Sequence, residues 1–530
     1  MLSLRIHRRD VARRWLPAAD GWQAGASRIA PWAHPALEHF MLEDGERSCF
    51  VVRERWTGAA APAPRARLPA RQFDAALAAL RGWPLDQLIL LVDARGDGQV
   101  ALHAGEPAGA PLCLLTRDDT LYAHWDAARL YPYLTPGAIR HEQAAAMLYA
   151  SGTPCSRTTL FREIGMLTER ASACWRGGAR LELAYPPPRR WGQARATLAA
   201  ADVPAAFETL LAAILRRHDM RGTRMACQLS GGIDSALLSL IAARHGPRPL
   251  ATYGLLMPGR AGRAQQRRRE RLRRACGARD TAVAAIEHLP FARSWRLAAD
   301  PVVPWGEFYH EAFGALMRRA RANGDLCMVS GIGGDELAAL QWDELDTPPA
   351  APADEAPAHA WMTAPAVEAA RTAGLDPAPA GVAFDSVYGG LRAGATLYLR
   401  EGIWPLYPYA VPELVQLCRA LPACWRRDRA LQRHCLRRAG LPGWVYRPAV
   451  PENFLDVLHS ALGGNTALAA LARDARLAEL GLVQPAAFER ALRHPPGPGQ
   501  PHALSCLMAA VTLELSLRAV EESRKEDWFA

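Results

Sequence analysis

Ser230-Gly231-Gly232-Ile233-Asp234-Ser235 decides the reading of this chain. It follows the short apolar run Met225-Ala226-Cys227-Gln228-Leu229 and opens the helical pattern Ser-Ala-Leu-Leu-Ser-Leu-Ile-Ala-Ala. A strand-to-helix turn leaves backbone N–H groups free at the helix N-terminus, which makes it a site for anions. Gly231 and Gly232 let the backbone approach a phosphate with no Cβ in the way. Ser230 and Ser235 add hydroxyl donors. Asp234 is repelled by phosphate directly and makes sense there if it holds Mg²⁺. A second acidic loop, Ser330-Gly331-Ile332-Gly333-Gly334-Asp335-Glu336, follows another predicted strand. Ligands of open α/β sheets bind beyond the carboxyl ends of the strands, so Asp234 and Asp335 are expected to meet over one nucleotide and share its metal. The plain alternative is a Gly-Gly turn capping an ordinary helix.

Around these loops strand and helix alternate. Helices are predicted over 204–217, 235–244, 263–276 and 308–321, and strands over 224–229, 250–256, 282–287 and 326–330. That order predicts a doubly wound parallel sheet; beyond Ser386 the pattern is mostly helical. The first 190 residues instead carry short strands (48–52, 87–93, 100–103, 120–124) with helices at 70–81 and 142–149, an α+β unit on antiparallel sheet. Proline-rich loops fall at 57–71, 186–190, 346–379 and 493–501. Two domains are expected, 1–195 and 196–530.

Composition excludes several classes. Of 530 residues half are apolar and 22% charged, as in globular proteins. No uncharged apolar run reaches about 18 residues, which argues against a membrane span, and the start lacks a signal-peptide pattern. Lys525 is the single lysine, so Schiff-base and Walker-type lysine chemistry are excluded. The net charge of +10 fits either an anionic partner such as nucleic acid or a composition rich in arginine. Eleven scattered cysteines, with no CxxC and no Cys/His run of zinc spacing, read as reduced thiols in a cytoplasmic protein.

SGGIDS resembles the PP-loop of the ATP pyrophosphatases, and its combination with SGIGGDE resembles the asparagine synthetase B family. The resemblance runs over residues 80–460 and includes LLVDARGDGQVALH and TLFREIGMLTERASACWRGG. It implies a glutaminase-like sandwich of the N-terminal-nucleophile type over 1–195, followed by a synthetase domain over 196–530. It implies ATP at Leu229, Ser230, Gly231, Gly232, Asp234, Ser235, Tyr253, Gly254, Ser330 and Gly331, with Mg²⁺ on Asp234 and Asp335. Three departures select the subfamily. Leu2 stands where a glutaminase of the family has cysteine, and the nearest cysteine is Cys49, so the first domain is expected to be a degenerate relic. Ile332 stands where β-lactam synthetases have tyrosine. Ala449, after Arg447-Pro448, stands where the family commonly has lysine, leaving Arg447, Arg433 or Arg437 to supply charge. The pattern is most similar to the lasso-peptide macrolactam cyclases. These adenylate an Asp or Glu side chain of a precursor peptide and close it on the peptide's N-terminal amine, alongside a peptidase that removes the leader. A small-molecule amide synthetase, of asparagine or β-lactam type, is the alternative. A nucleic-acid-binding scaffold with a dead nucleotide fold fits less well, because both aspartates are present.

Other stretches have two readings. Residues 260–279 hold nine arginines against one glutamate, and a solvated helix face is preferred over pyrophosphate guidance or docking of an acidic peptide. In Trp305-Gly306-Glu307-Phe308-Tyr309-His310-Glu311, either the aromatics are core, or Glu307 or Glu311 accepts the amine proton; Glu307 is taken as the candidate. Tyr407-Pro408-Tyr409 reads as packing, and His434 and Cys435 as incidental.

Overall fold

The computed structural model describes residues 1–135, 137–189, 202–246, 248–292, 300–340, 344–345, 359–450 and 452–523. Lys525, part of the expected loop 346–379 and the expected boundary at 195 lie outside them.

The N-terminal part is two seven-stranded sheets. The first runs Gly165–Leu167, Leu112–Arg117, Thr120–His124, Leu2–His7, Ser27–Pro31, Gly21–Ala24, Leu16–Ala18, antiparallel throughout. The second is also antiparallel, apart from the short edge strand Arg65–Arg67, which pairs in parallel with Leu37–Glu43. Strand periodicity explains the layering. In Gln87–Asp93, Leu88, Leu90 and Val92 face the other sheet, while Ile89 faces the helix Ala70–Leu80 with Phe73. In Leu112–Arg117, Leu112 and Leu114 face inward, while Cys113 and Leu115 face outward onto the C-terminal helices. Trp15 and Trp22 meet Phe50 between the sheets at ring distances of 5.2 and 5.1 Å.

The third sheet is parallel, in the order Arg279–Ala284, Ala251–Leu256, Met225–Gln228, Cys327–Val329, Trp404–Leu406. Both its faces are covered, as a parallel sheet requires. Cys227 and Val329 pack on the helix Ile233–His245, while Ala226 and Met328 pack on His310–Ala322. Two expectations need correction. The strand expected at 282–287 runs over Arg279–Ala284 and ends in a 3₁₀ turn, Ala285–Glu287. The fifth strand, Trp404–Leu406, was not anticipated, because Pro405 at its centre carries no N–H; an edge position tolerates it.

That edge strand faces the sandwich. Trp404 Nε1 donates to Glu54 Oε1 at 2.6 Å, and His34 Nε2 lies 3.1 Å from the Leu326 carbonyl. Arg400, on the helix Asp385–Arg400, grips Asp126 at 2.7 and 2.8 Å. The helix Pro501–Glu522 is by length and composition alone long and apolar enough to cross a membrane, but it carries Glu514 and Arg518 and nearly all of it is buried inside the protein. It covers the outer face of the first sheet together with the helix His141–Ala150.

Candidate active site

The two acidic loops leave neighbouring strands, Met225–Gln228 and Cys327–Val329, at the same end. The structure brings Asp234 and Asp335 together there. Asp234 Oδ2 accepts from Arg429 Nη1 at 3.0 Å, and the same nitrogen lies 2.7 Å from Asp335 Oδ1. The approach is close enough that a Cβ on Gly334 would fall 2.5 Å from Asp234 Cγ. Gly231 and Gly333 have φ of +93° and +94°, where a side chain is strained. Burial, with Asp335 alongside, pushes the Asp234 carboxyl well above the usual carboxylate range against the pull of Arg429. Asp234 Oδ1 is buried with no hydrogen-bond partner among the described residues. An orphaned carboxylate oxygen beside a second carboxylate fits a hard divalent cation such as Mg²⁺.

The serine side chains also bond within the turn. Ser230 N–H donates to Ser235 Oγ at 3.2 Å, Gly232 N–H donates to Ser230 Oγ at 3.1 Å, and the two hydroxyls lie 3.0 Å apart. Leu229 N–H donates to the Tyr253 carbonyl at 2.7 Å. The Tyr253 side chain does not join the site: its hydroxyl donates to Asp325, at the other end of the sheet, at 2.7 Å. Ser330 N–H donates to the Leu406 carbonyl, and a Cβ on Gly331 would lie 3.4 Å from Ser235 N.

The helix Gly259–Cys276 is not simply solvated, which corrects the preferred reading of its arginines. Gln265, Arg268 and Arg269 turn inward and are buried. Gln265 Nε2 donates to the Ser230 carbonyl at 2.8 Å and Arg268 Nε to the Gly231 carbonyl at 3.0 Å. Arg269 is anchored on Asp280 through Nη2, at 2.7 and 2.8 Å. Its Nη1 is buried beside Gly254 with no partner among the described residues. Gly254 is glycine because a Cβ would overlap that nitrogen and the Leu229 carbonyl. A guanidinium donor left without a partner suits a phosphate oxygen.

Several residues of the site escaped the sequence. Arg429 is one; it and Asp428 have φ of +56° and +52° at a kink before the helix Ala430–Arg438. Left-handed backbone at two such residues costs about 1–3 kcal/mol each, and here it aims Arg429 at the carboxylates. Glu452 is another: its carboxylate lies over Gly232, Arg268 Nη2 is 3.6 Å from Oε1, and burial raises its pKa. Tyr409 donates to the Asp234 carbonyl at 3.0 Å, so the expectation of pure packing is incomplete. Tyr398 accepts from Gln228 Nε2 at 2.6 Å at the exit of the central strand. Glu307 Oε1 accepts from Tyr309 N–H at 3.1 Å, and its charge adds to the burial that raises the Tyr398 hydroxyl. Glu311 accepts from Phe291 N–H instead. Arg447 is exposed in a groove of about 930 Å³ with Asp428 and Arg433. Arg433 donates to the carbonyls of Asp428 and Tyr446. Ile332 packs with Tyr388 against Val387 and Leu391. Cys435 is buried, and His434 pairs with Arg437 at the surface.

Residues 206–342 match the family model described as asparagine synthase. No curated protein matches the chain. The match contains both acidic loops, while Arg429, Tyr398 and Glu452 lie outside it. The domain it identifies is that of an ATP-dependent, amide-forming ligase.

Proposed function

We propose that this asparagine synthase domain closes a macrolactam in a ribosomal peptide. A side-chain carboxylate of the peptide attacks the α-phosphate of ATP and pyrophosphate departs. The peptide's own N-terminal amine then attacks the acyl adenylate, releasing AMP. The observation that carries the choice of amine is the state of the sandwich thiols. Cys49, Cys113 and Cys155 are buried. Burial pushes Cys49 up to about 12 and Cys155 up to about 11, and raises Cys113 and Cys174 as well. A nucleophilic thiolate needs the opposite shift. No cysteine among the described residues up to 189 is set to release ammonia from glutamine, which favours an amine carried by the substrate. The sandwich then reads as a relic of the N-terminal-nucleophile glutaminase fold.

On this reading the residues take the following roles. Asp234 and Asp335 would hold Mg²⁺ through their carboxylate oxygens, and the ion would offset the charge of the phosphates. The turn before Ile233–His245 and Arg269 Nη1 hold the phosphates in place. Glu307 is assigned to accept the proton of the attacking amine, and Arg447 to stabilise departing pyrophosphate. A cavity of about 410 Å³ between sandwich and synthetase, lined by Pro107, Met166, Phe384 and Tyr388, has room for peptide side chains. Tyr388 also packs on Ile332, within the second acidic loop. Because the reaction is intramolecular, holding the peptide folded supplies much of the rate. The partners on this reading are the precursor peptide and the peptidase that removes its leader.

The test is mass spectrometry of a leader-free candidate peptide with Mg-ATP and that peptidase. Loss of one water from the peptide with AMP formed, both abolished by Asp234→Ala, supports the reading. AMP formed only with free aspartate and ammonia moves the protein to the small-molecule branch.

A further inference from the structure

His359, His502 and Cys506 form a cluster that takes no part in the site around Asp234. His502 and Cys506 stand one helical turn apart on the helix Pro501–Glu522. His359 reaches them from a distant stretch of chain. One donor atom from each lies within 4.8 Å of the others. Cys506 Sγ is 3.6 Å from His502 Nε2 and 3.8 Å from His359 Nε2. Tetrahedral zinc, with Zn–S near 2.3 Å and Zn–N of 2.0–2.1 Å, requires S···N separations of about 3.6 Å. Both sulfur–nitrogen separations are therefore close to those around a common metal, and the two imidazole donors lie within 4.8 Å of each other. The Tyr149 carbonyl lies 2.7 Å from His359 Nε2 and 3.3 Å from Cys506 Sγ, within reach of a fourth position. The Tyr149 ring stacks on His359 at 4.1 Å and fixes the imidazole plane. Cys506 and His359 are buried, while His502 is only partly so and gives an ion its access.

We propose that His359, His502 and Cys506 bind one thiophilic divalent cation, zinc by donor set. Binding replaces the thiol proton of Cys506, which leaves to solvent, and shifts His359 to the Nδ1–H tautomer so that Nε2 offers its lone pair. The Tyr149 carbonyl, released from those hydrogen bonds, completes the shell. Three protein ligands plus a carbonyl make a closed site, so the ion is structural. It staples the helix His141–Ala150, the chain at His359 and the helix Pro501–Glu522. Nothing in the site depends on the reading of the ligase.

Metal analysis of the full chain purified without chelator tests this. The expectation is about one zinc per chain, falling at least about tenfold in Cys506→Ser and His502→Ala. After stripping, Co²⁺ added to the wild-type chain is expected to give a thiolate-to-cobalt charge-transfer band in the near ultraviolet, absent in Cys506→Ser. His502→Ala, which keeps every thiol in place, is expected to lose the band as well, so either folded variant assigns it to this cluster. A folded wild-type chain with neither bound zinc nor the cobalt–thiolate band overturns the proposal and leaves a cluster joined by hydrogen bonds alone.

Discussion

Asp234 and Asp335 share a single guanidinium nitrogen, Arg429 Nη1, at 3.0 and 2.7 Å. The arginine thus holds together two carboxylates that otherwise repel, and it competes with any cation for them. Arg429→Gln is expected to bind Mg²⁺ roughly tenfold more tightly without nucleotide, because one positive charge has gone from the cluster. AMP formation should nevertheless fall by about 10²–10³, the usual loss when one oriented donor is removed. Calorimetric Mg²⁺ titration and an AMP assay read the two effects separately. A variant weaker in both would mean that Arg429 shapes the loops rather than competing at them.

Gly254→Ala places a methyl group where Arg269 Nη1 and the Leu229 carbonyl already are. Neither yields easily, since Arg269 is pinned to Asp280. The expected cost is about 3–5 kcal/mol, that of a broken buried ion pair. Denaturant unfolding measures it; an unchanged midpoint would show that the guanidinium has room to move.

Glu54 and Asp86 are buried side by side where sandwich and synthetase meet. Asp86 N–H donates to Glu54 Oε2, and Gly109 N–H donates to Asp86 Oδ2. Burial pushes both carboxyls up to about 7, and their mutual repulsion adds to this for Asp86. A carboxyl raised in the folded state contributes stability that is full below its unfolded pKa and lost as pH rises through the folded one. Wild-type stability should therefore fall between about pH 4 and 7 on this account. Asp86→Asn, whose amide can donate to Glu54, should flatten that slope. Thermal unfolding at several pH values checks it, and equal slopes in both proteins would sink it.

Arg400 is buried between Asp126 and Asp300. Burial alone would raise the Asp126 carboxyl, but Arg400 overrides it and holds it low. Arg400→Ala should cost about 3–5 kcal/mol, whereas Arg400→Met combined with Asp126→Leu should recover much of that loss. Urea unfolding of the single and double variants separates the cost of an unpaired charge from that of lost packing.

What the sequence revealed depended on how local each signal was. The strands Gln87–Asp93 and Thr120–His124 are bounded as their apolar runs predict, and the strand–turn–helix around Gly231 follows from a few adjacent residues. Trp404–Leu406 is too short to show a period, and its proline points away from strand. Arg429 sits in a chain full of arginines, and nothing adjacent marks it as the one that reaches Asp234, 195 residues earlier. His502 and Cys506 carry half a signal, their one-turn spacing, but His359 is 147 residues from Cys506. Burial of Arg268 and Arg269 follows from the helix's inward face, which its near-uniform charge disguises.

The helix Pro501–Glu522 has a consequence for how the chain is made. It covers sandwich residues such as Cys113 and Leu115, and Cys506 meets Tyr149 across 357 residues of sequence. At ribosomal speeds of 5–20 residues per second, that face waits on the order of 20–70 s for its cover. During synthesis the sandwich therefore presents an unsealed apolar wall. Stalled or prematurely ended translation should leave a species that chaperones hold and proteases remove, even though its own sheets are complete.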